Sequence, residues 1–199
     1  MNRDFWNNRY SEDKWAYGVE PNVFIREQID LLAPGVALFP ADGEGRNSIY
    51  AAQKGWQVYA YDQSEIGKSK AMKVAKKLGV NIHYTVSDAL SYNFDCRVKF
   101  DLIGLCFFHL PEEDRRRFHH SLYNLLNDGG VIVMEAYDKA QLSKGTGGPK
   151  SKDMLYSIEE LEKDFADFSK CQLYNKERYL EEGKYHRGNS SLIEGVIYK

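Results

Sequence analysis

Short apolar runs alternate with amphipathic stretches along most of this chain. Short, largely apolar runs of this length predict buried strands. Five are found, at 36–39, 58–61, 82–86, 100–107 and 131–134, and two further strands are predicted near 171–178 and 191–198. Helical spacing of apolar residues predicts helices from Pro21, at 47–54, at 64–78, from Pro111 and from Ser157.

Local signals support three of these helices. Gly79 directly follows the last apolar position of the 64–78 stretch, and glycine is the residue that most often ends a helix. Ser157 and Glu160 have the spacing of a capping box, in which each side chain caps the backbone of the other residue. A Gly129-Gly130 pair ends the helix that starts at Pro111.

The alternation of strands and helices predicts an α/β fold. We expect a Rossmann-like, doubly wound, mostly parallel sheet with an antiparallel C-terminal strand and helices on both faces. One domain would span 1–199, with an N-terminal aromatic lid and helix at 1–34 and the Rossmann-like core at 35–199. Such sheets bind ligands at the carboxyl ends of their strands. The loops at 40–48, 62–65, 87–90 and 106–111 are therefore the most informative about a ligand-binding site.

Composition excludes several other classes of protein. The 199 residues are 43% hydrophobic and 28% charged, which is typical of a globular protein and not of a disordered one. A net charge of −2 argues against a nucleic-acid partner. No apolar window reaches the ~20 residues of a membrane span, so no membrane partner is expected. Three scattered cysteines, Cys96, Cys106 and Cys171, argue against a disulfide scaffold or a metal site and favour a cytoplasmic location.

Three strand ends carry residues suited to a purine nucleoside. Gly43 and Gly45 follow the first strand and precede a helix, where glycine lets a ligand approach the backbone. Asp62 ends the second strand and can accept hydrogen bonds from both ribose hydroxyls. Asp88 follows the third strand and can accept from an adenine amino group. The alternatives are an ordinary turn, a helix cap and an exposed turn aspartate, respectively.

The runs 36–47, 59–62, 85–90, 100–110 and 125–135 resemble the successive motifs of class I S-adenosylmethionine (SAM) methyltransferases. Segments in 6–22, 43–47, 106–111, 147–149 and 182–186 are similar to small bacterial methyltransferases of the tellurite-resistance and thiopurine type. One departure is that Phe39 and Ala41 stand where most class I enzymes carry an acidic residue and a glycine. The resemblance implies SAM as cofactor and S-adenosylhomocysteine (SAH) as product.

Taken together, the loops and the resemblance give a set of candidate cofactor-binding residues. They are Trp6, Arg9, Tyr10, Tyr17, Ala41, Asp42, Gly43, Gly45, Arg46, Asn47, Asp62, Gln63, Ser64, Ser87, Asp88, Ala89, Cys106 and Phe107. The aromatic residues before the first strand are expected to fold over the cofactor as a lid; the alternative is an aromatic staple on the core. Either Arg9 or Arg46 could pair with the cofactor carboxylate.

Two histidines are candidate catalytic residues. His109 follows the fourth strand, where a methyl acceptor would lie, and His186 is in the turn between the last two strands. The alternative for His109 is a hydrogen-bonded structural histidine. His119-His120 and the run 115–117 are expected on a solvated helix face.

The expected function is methyl transfer from SAM to a small acceptor, and the resemblance suggests a thiol or a chalcogen oxyanion. The alternatives are a nucleotide-dependent oxidoreductase and a SAM-binding module without catalysis. A monomer or a homodimer, acting without a metal, is expected.

Overall fold

The computed structural model describes residues 2–92 and 97–199, so Cys96 lies outside the described residues. The helices are α1 (Arg3–Tyr10), α2 (Val23–Leu31), α3 (Arg46–Gln53), α4 (Glu65–Leu78), α5 (Glu112–Tyr123) and α6 (Ile158–Asp164), with short 3₁₀ helices at Lys139–Ser143 and Lys152–Met154. The strands are β1 (Val36–Pro40), β2 (Gln57–Asp62), β3 (Ile82–Val86), β4 (Phe100–Cys106), β5 (Leu126–Tyr137), β6 (Lys170–Glu182) and β7 (His186–Tyr198).

The strands form one sheet in the order β3-β2-β1-β4-β5-β7-β6. Neighbours from β3 to β5 are parallel, and β7 runs antiparallel to both β5 and β6. The predicted mostly parallel sheet with an antiparallel C-terminal strand is therefore confirmed. Because the chain leaves β1 in one direction to β2 and β3 and later returns to β4 on its other side, the strand order reverses between β1 and β4. Ligands bind at such reversals in sheets of this kind.

Two apolar clusters cover the two faces of the sheet. One contains Ile25 of α2, Ile49 of α3 and Ala71 of α4. The other contains Phe118 of α5 and Leu161 of α6. Helices thus pack on both faces, which explains why the central strands read as continuous apolar runs. None of the described helices combines the length and the apolar character needed to cross a membrane.

Helix ends follow the capping signals closely. Gly79 ends α4 in the left-handed conformation at φ +70°, as predicted. Ser157 and Glu160 form the predicted capping box at the start of α6. The expectation that Pro21 opens a helix is wrong by two residues, because the Asn22 side chain accepts from the backbone N–H of Ile25 and so caps a helix that begins at Val23.

Three elements differ from the sequence prediction. The segment Arg3–Tyr10 is a helix that was not predicted, because its aromatic and polar residues lack an apolar stripe; Asn2 caps it. Strand β5 extends past the predicted 131–134 at both ends, from Leu126 to Tyr137, and it includes the buried Glu135. The expectation that Gly129 and Gly130 end the preceding helix is therefore wrong, because α5 ends at Tyr123 and both glycines lie within β5. The hairpin of β6 and β7 is longer than predicted, since thirteen residues pair in each strand.

The expectation of a solvated face on α5 is wrong for Arg115 and His119, which are each 2% exposed. Arg115 Nε donates to Asp164 Oδ2 at 2.7 Å, and His119 Nδ1 lies 2.8 Å from the same oxygen. Asp164 comes from α6, so this partner is distant in sequence and no local pattern indicates it. The charges are buried because they neutralise one another.

Candidate functional site

The loop after β1 lies directly against α4. Gly45 has φ +87°, and a Cβ at this position would lie 2.6 Å from the Cβ of Ala71. A Cβ on Gly67, in the first turn of α4, would lie 2.7 Å from the carbonyl oxygen of Gly43. Ala41 also has a positive φ of +50°, although it carries a side chain. The small residues therefore allow the loop and two helices to meet at the carboxyl end of β1.

Asp62 lies at the end of β2 and faces this loop. Its carboxylate accepts from the backbone N–H of Gly43 at 3.1 Å and from that of Ser64 at 2.8 Å, one bond on each oxygen. A carboxylate has about four acceptor positions, so each oxygen keeps one lone pair for a ligand. Burial raises the pKa of Asp62 to about 6, although the two N–H groups oppose the shift.

Asp42 lies in the loop itself and is half-buried, but one of its carboxylate oxygens is fully buried. Its Oδ2 atom has no hydrogen-bond partner among the described residues. Burial raises the pKa of Asp42 to about 8, and hydrogen bonding to Ser48 offsets only part of this effect. A buried polar atom without a partner is costly, and such atoms in native proteins call for an explanation. A cationic ligand group would supply the missing partner.

The residues that follow β2 and β3 lie side by side, since Asp62 pairs with Val86 in the sheet. Ser64 caps α4, and Gln63 lies between it and Asp62. The backbone N–H of Ser87 donates to the carbonyl of Asp62 at 2.9 Å. Asp88 is exposed and accepts from Leu90 N–H at 2.9 Å, as in an ordinary aspartate turn, and Ala89 is half-buried between them.

The N-terminal segment lies over the glycine loop. Tyr10 is 4% exposed, and its hydroxyl is 2.5 Å from where a Cβ of Gly43 would be. Trp6 stacks on Tyr10 with ring centroids 5.6 Å apart. Asn7 Oδ1 accepts from the hydroxyl of Ser64 at 2.7 Å. The aromatic residues thus cover the carboxyl ends of β1 and β2, and the Tyr10 ring fills the notch beside Gly43.

Three contacts that were not foreseen hold this segment in position. Glu44 is buried and accepts from the backbone N–H of Ala16 at 2.8 Å. Lys70 of α4 pairs with the same carboxylate at 2.8 Å. Lys184 of the β6–β7 turn pairs with Glu12 at 2.6 Å. The segment is therefore attached both to the loop that it covers and to the far end of the sheet.

The structure distinguishes the two arginines that could bind a carboxylate. Arg46 pairs with Glu182 at 2.8 Å and donates to the carbonyl of Tyr17 at 3.0 Å. Arg9 donates to the hydroxyl of Tyr17 at 2.9 Å and stacks 3.7 Å from the Tyr185 ring centroid. Within 2–92 and 97–199 no carboxylate lies within 4.0 Å of the Arg9 guanidinium. Arg9 is therefore the arginine whose charge is still available.

Aromatic side chains gather where β4 and β5 end. Phe107 stacks on Tyr137 with centroids 4.7 Å apart, and His186 lies 4.4 Å from Phe107 and 4.4 Å from Tyr17. Cys106 contacts Arg46 at 3.6 Å. The candidates Tyr17, Arg46, Cys106, Phe107 and His186 are therefore brought together beside β4, separate from the Asp62 side of the loop.

His109 has both ring nitrogens engaged. Its Nδ1 lies 2.7 Å from the carbonyl of Met154, and its Nε2 accepts from the backbone N–H of Tyr137 at 3.1 Å. Burial lowers the pKa of His109 to about 4, so the ring is neutral with its proton on Nδ1. This geometry corresponds to the structural histidine that was the alternative. Its catalytic role stays a prediction, and one of these bonds would have to break for it.

Sequence reasoning missed the buried charges behind this aromatic group. Glu182 accepts from Arg46 and from Asn22 Nδ2, and Asn22 also donates to Glu135 at 2.6 Å. Burial would raise the pKa of Glu182, but Arg46 holds it at about 2. Asn47, a cofactor candidate, instead accepts from the backbone N–H of Asn22 at 2.9 Å. A glutamate inside the apolar run of β5 was the one available signal.

Residues 40–130 match the family model for a methyltransferase domain. The chain carries a methyltransferase domain. The match spans β1 to the start of β5, and it contains the glycine loop, Asp62, Asp88 and Phe107. The resemblance to class I methyltransferases is therefore confirmed, and the match favours methyl transfer over the oxidoreductase alternative. A search of curated proteins found no match to the sequence of this chain.

Solved structures similar to this methyltransferase show the same fold. One structure comes from a study of the conversion of a disulfide bond into a thioacetal group during echinomycin biosynthesis. It has a TM-score of 0.75 and 16% sequence identity, and the match covers 99% of this chain and 91% of the other protein chain. TehB from Haemophilus influenzae has a TM-score of 0.72 and 18% identity over 99% and 66%. The N-methyltransferase NodS from Bradyrhizobium japonicum, in complex with SAH, has a TM-score of 0.70 and 14% identity over 99% and 97%.

Proposed function

We propose that this methyltransferase transfers the methyl group of SAM to a small, soft nucleophile, a thiol or a chalcogen oxyanion. The observation that carries the proposal is Asp62, a buried carboxylate at the end of β2 that faces the glycine loop with a lone pair free on each oxygen. A ribose offers two neighbouring hydroxyl donors, which match these two acceptors. The match to a methyltransferase domain and the similarity to NodS with bound SAH support SAM as the source of the nucleoside.

Protein groups near Asp62 suit both the methionine part and the adenine of SAM. The partnerless Oδ2 of Asp42 suits the cationic α-amino group of the methionine part, and Arg9 suits its carboxylate. The segment Ser87 to Ala89 lies at the end of β3, next to Asp62, and suits the adenine. Asp42 thus offers a carboxylate three residues after Phe39, the position where most class I enzymes carry an acidic residue.

SAM binding requires α1 to move. The Tyr10 ring fills the notch between Gly43 and Gly67 in which the sugar would lie. Besides the packing of Tyr10, the segment is held there by polar contacts, among them Asn7 with Ser64 and the exposed pair of Lys184 with Glu12. Exposed pairs of this kind contribute little stability, about 0–1 kcal/mol each. We therefore expect the segment to open, admit SAM and close over it.

SAM supplies an activated methyl group on a sulfonium, so the protein chiefly has to hold the nucleophile in line with that group. Such positioning contributes up to ~7–11 kcal/mol, whereas a general base adds about 10²–10⁴-fold in rate. His186 is the histidine suited to act as the general base, because burial lowers its pKa and keeps the imidazole neutral. Its Nδ1 lies 3.5 Å from Glu182, which leaves Nε2 for the acceptor.

The acceptor class rests on the resemblance of 106–111, 147–149 and 182–186 to small bacterial methyltransferases. Two of these segments meet in the structure, since Phe107 contacts His186. The similar structure from echinomycin biosynthesis concerns sulfur chemistry, which supports a soft acceptor, whereas NodS is an N-methyltransferase.

Calorimetric titration with SAM and SAH, followed by an assay with methyl-labelled SAM, tests the proposal. 2-Mercaptoethanol, selenite and tellurite serve as acceptors. We expect saturable binding of both ligands and label transfer to at least one acceptor. Tight SAM binding without transfer to any of them would indicate a binding module. Saturable binding of NADPH without binding of SAM would instead support the oxidoreductase alternative.

A further inference from the structure

Tyr137, the last residue of β5, has a hydroxyl that the mechanism above does not use. The side chain is fully buried, and its oxygen has no hydrogen-bond partner among residues 2–92 and 97–199. A buried tyrosine hydroxyl nearly always finds a partner. Tyr156 is equally buried and illustrates the rule, because its hydroxyl accepts from Leu110 N–H at 2.7 Å and donates to the carbonyl of Phe108 at 3.1 Å.

A turn of two glycines covers the hydroxyl. Gly147 and Gly148 have φ +144° and +82°. A Cβ on Gly147 would lie 2.5 Å from the Tyr137 hydroxyl, and one on Gly148 would lie 2.8 Å from the ring. The turn is tied down at its edge by Gln141, whose Nε2 donates to Thr146 at 2.9 Å and to the carbonyl of Gly147 at 3.2 Å. The backbone of the glycine turn therefore packs directly against the hydroxyl and the ring of Tyr137.

The position of Tyr137 suits an acceptor rather than the cofactor. The nucleoside groups lie on β1, β2 and β3, whereas β4 and β5 lie on the other side of the reversal in strand order. Phe107 stacks on Tyr137 and holds a φ of +50°, a strained conformation for a residue with a side chain. Strain of this kind concentrates at ligand sites.

We infer that the Tyr137 hydroxyl is the hydrogen-bond donor that orients the methyl acceptor, in a pocket formed by Phe107, Tyr137 and His186 when the Gly147–Gly148 turn moves aside. This inference rests on the proposed function, since the occupant is the molecule that receives the methyl group. Tyr137 is a positioning residue: it donates to an oxygen, nitrogen or sulfur of the acceptor while the nucleophilic atom faces the cofactor.

The charges around this pocket predict an uncharged acceptor with a flat apolar body. Arg46 and Glu182 neutralise each other at 2.8 Å, and burial lowers the pKa of His186 so that it is neutral. Arg9, whose hydroxyl partner Tyr17 packs on His186, is neutralised by the cofactor carboxylate in the proposed complex. The walls are the faces and edges of aromatic rings, which favour a planar partner. Within the proposed soft nucleophiles, the pocket therefore favours a neutral molecule over an oxyanion.

The first test compares two tyrosine substitutions by thermal unfolding. Tyr137→Phe removes a hydroxyl that has no partner, so we expect its melting temperature to equal or exceed that of the wild type. Tyr156→Phe removes a hydroxyl with two partners and should lower the melting temperature. A lower melting temperature for Tyr137→Phe would overturn the inference, because the hydroxyl would then have a structural partner.

The second test measures binding of acetophenone and ethylbenzene, which differ mainly in one hydrogen-bond-accepting oxygen. Amide NMR follows both titrations, with and without saturating SAH. We expect acetophenone to bind the wild type about 5–10-fold more tightly, to shift the amide signals of Gly147 and Gly148, and to lose this preference in Tyr137→Phe. Equal binding of the two probes, no binding, or an unchanged preference in Tyr137→Phe overturns the inference. Failure of SAH to bind, measured in the same samples, would instead refute the proposed function.

Discussion

Two aspartates with buried carboxylate oxygens, Asp164 of α6 and Asp42 of the loop after β1, differ in their hydrogen-bond partners. The Asp164 carboxylate receives hydrogen bonds from Arg115 and His119, and these partners hold its pKa below the ordinary value although burial alone would raise it. Asp42 has an oxygen without a partner, and burial raises its pKa to about 8. The protein can therefore neutralise a buried carboxylate fully, and at Asp42 it does not.

The same contrast separates Tyr156 from Tyr137. A polar group whose partners all come from the chain stabilises the fold, whereas one left without a partner lowers stability and persists where a ligand supplies the partner. We therefore assign the cluster of Asp164, Arg115 and His119 to folding and the unsatisfied groups at the carboxyl ends of β1 and β5 to binding. The predictions below test this assignment.

The largest expected effect is at Asp164. Asp164→Ala leaves the buried Arg115 with only the longer contact to Glu160 at 3.8 Å, so we expect a loss of about 3–5 kcal/mol in the free energy of unfolding. Urea denaturation measures this loss, and Asp167→Asn, at an exposed position nearby, is the matched control. SAH affinity of whatever protein remains folded should be unchanged; a selective loss of affinity would place this cluster in the binding site.

Asp62→Ala should have the next largest effect, on binding. Two hydrogen bonds from the ribose to a charged group are lost, and we expect SAM affinity to fall by about 1.5–3 kcal/mol in calorimetry. Asp128→Asn, on a fully exposed side chain, controls for the change in charge. An unchanged dissociation constant would remove Asp62 from the site.

Asp42→Asn should change stability and affinity in opposite directions. Because the folded-state pKa of about 8 exceeds the ordinary value of 3.8, only the unfolded state loses its proton between these values, and wild-type stability falls as pH rises. The asparagine variant lacks this penalty, so its advantage should grow from pH 4 to pH 8 and reach about 1–3 kcal/mol. SAM affinity should fall at the same time. Loss of stability at pH 8 would contradict the assignment.

Arg9→Gln should have the smallest effect. The guanidinium is partly exposed, so its pairing with the cofactor carboxylate contributes about 0.2–1 kcal/mol, measured as a modest rise in the dissociation constant for SAM. Arg3→Gln, in the same helix and 54% exposed, is the control. An equal effect of both substitutions would argue for general electrostatic attraction instead of a specific contact.

A structural feature could be predicted from the sequence when the residues that determine it lie close together in the chain. The strands, the Gly79 helix end and the capping box of Ser157 depend on residues close in sequence, so pattern alone indicates them. The helix at Arg3–Tyr10 and the burial of Arg115 and His119 depend on partners far along the chain, and no local signal indicates these partners. The site divides likewise: Asp62 and the glycine loop could be predicted from position, whereas Glu182 and Tyr137 could not.

A crystal structure of the complex with SAH tests the central claim most directly. We predict that the adenosine lies along the carboxyl ends of β1, β2 and β3, with its ribose hydroxyls on Asp62, an ammonium on Asp42 and the Tyr10 ring displaced from Gly43. A complex in which SAH binds elsewhere, while Asp42 keeps its oxygen without a partner and Tyr10 stays in the notch, would contradict the account.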